Sequence, residues 1–123
     1  MKIQKNQFRA PEEYIKEAPQ TAAIDVWALG SIFAELVSGL PVWYGVDEAV
    51  AQESIVQGTR PPLLERVKNS KDPINNVLLQ AIDKCWVHDA KDRPRAGIIL
   101  EFLKTESERL GIQWNKPFTL NGR

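Results

Sequence analysis

Apolar residues recur at helical spacing in four stretches of the chain, and no stretch alternates with the period of two that a strand requires. The clearest set is Ile74, Val77, Leu78, Ala81, Ile82, Cys85 and Trp86, which follows the i, i+3, i+4, i+7, i+8 pattern. It lies behind Asp72-Pro73, a start signal in which the carboxylate caps and the proline fills the first turn. From Thr21, a candidate cap, to Ser38, the residues Ile24, Trp27, Ile32, Phe33, Leu36 and Val37 leave almost no polar side, which predicts a helix buried on several faces and stopped by Gly39. Asp47 is placed to cap a helix through Val56, ended by Gly58, before Pro61-Pro62 imposes a loop. Pro94 opens a last helix through Leu110, with Ile98, Ile99, Phe102 and Leu103 facing inward and Gly111 as the stop. A short helical turn is expected at Pro11 to Lys16, and the tail 111–123 reads as irregular. The pattern predicts an all-α fold without a sheet.

Composition narrows the function classes. A chain of 123 residues with 43% hydrophobic and 26% charged content suits one globular domain, which excludes wholesale disorder. Sixteen basic residues balance sixteen acidic ones, so global charge gives no reason to expect a nucleic acid or an anionic membrane as partner. Cys85 stands alone and cannot form an internal disulfide, and no run approaches the roughly 20 apolar residues of a membrane span. A reducing, cytoplasmic setting is the expectation.

Candidate chemistry is thin. Cys85 and His88 lie three apart on one predicted helix, but zinc needs three or four protein ligands and the chain has no second Cys or His. Cys85 also falls on the apolar stripe, where cysteine behaves as a small inert hydrophobe rather than a nucleophile. Glu12 and Glu13 are adjacent, so they point in different directions and do not converge as an acid and base. Trp27, Trp43, Trp86 and Trp114 have no interleaved basic cluster and read as packing residues.

Three pieces stand in one order: Phe8-Arg9-Ala10-Pro11-Glu12-Glu13, Asp25-Val26-Trp27-Ala28-Leu29-Gly30, and Cys85-Trp86 with Asp92-Arg93-Pro94. Jointly they resemble the C-terminal lobe of a eukaryotic protein kinase, with its A-P-E box, its D-x-W-x-x-G helix start and its late arginine region. The resemblance implies a helical C-lobe fragment over 1–110 followed by the tail. It implies a buried ion pair between Glu12 and Arg93, an Asp25 that anchors the catalytic loop, and Trp27 and Gly30 as packing residues, all architectural. Met1 stands nine positions before Ala10, so the Gly-rich loop, strand lysine, H-R-D and D-F-G motifs are expected to be missing, and residues 1–10 hold no Ser, Thr or Tyr for activation-segment phosphorylation. Catalytic, cofactor-binding and metal residues are therefore expected to be none; ATP and Mg belong to complete relatives.

Phe8-Arg9 and the SIFAEL run resemble the cyclin-dependent and mitogen-activated branch. Gly58-Thr59-Arg60-Pro61-Pro62, the short connection to Asp72 and Cys85-Trp86 resemble the tyrosine-kinase-like group, which is the expectation. Two functions are open: a piece of a kinase that phosphorylates protein hydroxyls, inactive alone, and a non-catalytic interaction module that docks proteins through the Trp43 to Val56 region. Loss of cover from four or five of Ile24, Trp27, Phe33, Leu36 and Val37 would cost about 6–15 kcal/mol, which implies either self-association through an exposed apolar surface or a loosened state.

Overall fold

The computed structural model describes residues 8–112. Among these the chain forms a 3₁₀ turn at Pro11–Tyr14 and helices α1 Ala23–Ser38, α2 Glu48–Val56, α3 Glu65–Lys68, α4 Pro73–Cys85 and α5 Ala96–Arg109, with no strand. At the starts of α1, α2 and α4, side chains accept otherwise orphaned backbone donors. Thr21 Oγ1 accepts the Ala23 N–H at 3.2 Å, Asp47 that of Ala49 at 2.9 Å, and Asp72 that of Ile74 at 2.8 Å. Gly39, at φ 72°, turns the chain out of α1 in a conformation that a Cβ would disfavour. Helix α3 leaves no periodic signal, because Val67 is its one buried residue.

Helix α1 is the axis of the fold, with α4 packed along it and α5 beside both. Gly30 makes the α1–α4 approach possible: a Cβ there would lie 2.6 Å from Cys85 Cβ and 3.0 Å from Trp86 Cδ1. The closeness sets the Trp27 and Trp86 rings 5.9 Å apart, tilted by 30°. Ser31 bridges them, accepting the Trp86 Nε1–H at 3.2 Å while its hydroxyl donates to the Trp27 carbonyl at 3.3 Å. The main core adds Val42, Trp43, Ala51, Ile55 and Val67, and a second cluster joins Val26, Cys85 and Ile99, with Leu29, Phe33 and Leu103 packed against it.

Several expectations need correction. Trp27 and Val37 are buried and Ile24 and Phe33 half-buried, because Trp86 and the 40–46 segment cover them; Leu36, at 69% exposure, and Ile32, at 46%, form the bare face. Ile98 is 58% exposed while Ile99 is sealed, since one residue rotates the side chain by about 100° around the helix. Ile74 is 51% exposed, in the first turn of α4, where it joins neither hydrophobic cluster. Helix α4 ends at Cys85, so His88 does not share a helix with it. Within the Trp43 to Val56 region expected to dock proteins, Trp43 is buried, at φ 60°, and the exposed apolar residues are Tyr44 and Val50. Trp114 and the tail from 113 onward lie outside the described residues.

Candidate functional site

The turn after α4 delivers Arg93 into the interior. Asp89 Oδ1 accepts the Lys91 N–H at 2.9 Å and the Asp89 carbonyl that of Asp92 at 3.0 Å, which folds the segment back on itself. A guanidinium has five N–H groups, and each one of Arg93 finds an acceptor. Nε donates to the Val87 carbonyl at 2.9 Å. Nη1 donates to Glu12 Oε2 and to the Ala23 carbonyl, both at 2.8 Å. Nη2 donates to Glu12 Oε1 at 3.1 Å and to the His88 carbonyl at 3.2 Å. Beneath it lies the Trp27 ring, 5.1 Å from Cζ, a cation–π contact.

Glu12 reaches this position from the 3₁₀ turn, whose Pro11 and two glutamates suit a helix start. The two carboxylates diverge: Glu13 Oε2 accepts the Ala10 N–H at 2.6 Å, while Glu12 faces inward. Gln20 Nε2 donates to the Glu12 carbonyl at 3.1 Å, holding the turn's backbone. With the Arg93 side chain fully buried and that of Glu12 nearly so, the bidentate geometry offsets a large desolvation cost, and removing one partner would leave the other charge stranded.

Asp25 lies exposed in the first turn of α1, and its carboxylate accepts no hydrogen bond among the described residues. The buried Trp27 Nε1 likewise finds no acceptor among them. Burial pushes the Cys85 thiol up to about 11, slightly opposed by Arg93, so the group is a protonated packing element. His88 is exposed and meets Arg93 through its carbonyl. No group of three or more His, Cys, Asp or Glu among the described residues could hold a metal ion. Sequence reasoning missed Ser31, whose signal is a small polar residue one turn after Trp27 on an apolar face. It also missed the Ala23, Val87 and His88 carbonyls, which carry no signal because every residue has one.

The arrangement is a clamp that joins the 3₁₀ turn, the start of α1 and the end of α4. The family model described as "Protein kinase domain" matches residues 2–103. The chain belongs to the protein kinase domain family. Among its kinase relatives, cyclin-dependent kinase 10 of Bos taurus is 32% identical over 116 residues, covering 76% of this chain and 32% of that protein. Serine/threonine-protein kinase PKH3 of Saccharomyces cerevisiae is 32% identical over 92 residues, covering 74% of this chain and 10% of that protein. The mitogen-activated protein kinase kinase kinase MCK1 of Pyricularia oryzae is 30% identical over 80 residues, covering 65% of this chain and 5% of that protein. The chain thus spans about a third of the length of the first curated relatives it matches.

Proposed function

We propose that residues 1–110 are the C-terminal lobe of a protein kinase domain whose complete form transfers the ATP γ-phosphate to protein hydroxyls, and that this lobe supplies architecture and protein docking rather than chemistry. Glu12, Arg93, Asp25, Trp27 and Gly30 are its structural site. The observation that carries the reading is Arg93, which commits all five N–H groups to holding the A-P-E turn against α1 and the 87–88 carbonyls. The name of PKH3 supports Ser/Thr acceptors. The cyclin-dependent names favour the branch that Phe8-Arg9 and SIFAEL resemble, while the tyrosine-kinase-like grouping keeps only its motif support.

The purified chain, incubated with Mg-ATP and a mixed protein substrate, is expected to transfer no phosphate. Joined in frame to the upstream part of the domain from human cyclin-dependent kinase 10, it is expected to restore transfer, and Arg93→Ala to remove it. Transfer by the isolated chain that survives purification would overturn the reading. A second reading, a non-catalytic interaction module in an intracellular setting, is favoured by the bare Leu36 and Ile32 face of α1. It is retained if the joined domain folds and stays inactive.

A further inference from the structure

Beyond the clamp, the end of α1 and the segment before α3 enclose a cavity of about 140 Å³, lined among others by Ala34, Leu40, Tyr44, Pro62 and Leu64. An apolar cavity near 150 Å³ accepts one benzene ring, so this one suits a single leucine or phenylalanine side chain. Tyr44 and Leu64 are exposed at its edge. Ser38 also lines it, and Arg66 Nη2 donates to the Ser38 carbonyl at 2.7 Å, which fixes a guanidinium at the rim. No described carboxylate pairs with Arg66; the adjacent Glu65 faces Lys68 at 3.5 Å. The remaining N–H groups of Arg66 suit a carboxylate taken in bidentate fashion. A larger cavity of about 440 Å³ beside Glu12 carries both Asp89 and Lys91 and so makes no choice of charge.

We propose that this groove docks a partner-protein segment in which a leucine-sized apolar side chain is followed closely by a carboxylate. The proposal rests on reading the lobe as a protein-docking surface, and names the chemistry that surface selects.

The test uses the whole 123-residue chain, isotopically labelled. It is titrated with a short peptide carrying one leucine before two glutamates, with a copy whose glutamates are lysines, and with a copy whose leucine is alanine. Resonances of Tyr44, Leu64 and Arg66 are expected to shift with the first peptide, and the alanine copy to lose binding. Arg66→Glu is expected to weaken the acidic peptide and strengthen the lysine one, each by about tenfold. Tyr44→Ala, an exposed change, gives an independent loss of affinity. Absence of binding, shifts that map elsewhere, or equal affinities in Arg66→Glu overturn the proposal. The transfer assay on the joined domain is unaffected by these outcomes, so failure of the groove and failure of the kinase-lobe reading are separable.

Discussion

Arg93 holds both carboxylate oxygens of Glu12 across 81 positions of sequence, at 2.8 and 3.1 Å. The pair is sealed, so its worth differs from that of the exposed Arg60–Asp83 and Arg109–Glu106 pairs, which contribute about 0–1 kcal/mol. Arg93→Ala is expected to cost about 3–5 kcal/mol, read from the shift of the denaturant midpoint. Adding Glu12→Gln should cost far less than the sum of the two single changes, because the first change has already broken the pair. Additive effects would show that the two residues are energetically independent.

Gly30→Ala is expected to destabilise by about 1–3 kcal/mol, since the new methyl would meet Cys85 Cβ at 2.6 Å between two packed helices. The obstacle is a Cβ rather than the sulfur. Cys85→Ala should therefore give no rescue in the double variant, whereas relief by that change would place the conflict at the sulfur instead.

How legible the molecule was depends on the length of its signals. The caps at Asp47 and Asp72 and the stop at Gly39 could be read because each acts within one turn of its helix. The resemblance allowed Glu12 to be matched with Arg93, and the structure places them in contact. Ile98 and Ile99 could not be ranked, because neighbouring apolar residues at a helix start leave the phase of the buried face open by one position. Trp43 reads as a packing residue and is buried, but its left-handed backbone at φ 60° has no signal in the sequence, since a non-glycine residue gives no notice of a positive φ. Arg93's three carbonyl partners were invisible, since backbone acceptors have no residue-type signature.

The Cys85 thiol gives a pH test whose sign follows from its burial. Its folded value near 11 lies above the ordinary 9.0, so the neutral thiol contributes fully below about pH 9. Between 9.0 and about 11 the unfolded chain ionises first, and stability falls. Tyr14, raised chiefly by burial, adds to the loss at the upper end. Denaturant midpoints across this window should decline less steeply in Cys85→Ala. Alkylation of Cys85 in the native chain should be slow and should accelerate in denaturant; fast native labelling would contradict a sealed thiol.

Leu36 and Ile32 decide whether the isolated chain associates with itself. They lie one helical turn apart on α1, 69% and 46% exposed, beside the half-buried Leu29 and Phe33. A fully buried side chain of this size gains about 1.5–3 kcal/mol, so covering such a face in a second copy offers a drive to associate that a neutral net charge does little to oppose. Light scattering and dye binding to apolar surface are therefore expected to report oligomers or an accessible face in the native chain. Leu36→Glu with Ile32→Lys should remove both signals while leaving the melting transition nearly unchanged, because changes at exposed positions generally stay within about 0.5 kcal/mol. A clear drop in stability would instead mean that this face is already packed within one copy of the chain. A monodisperse, dye-negative native chain would refute self-association and leave the face to a different partner.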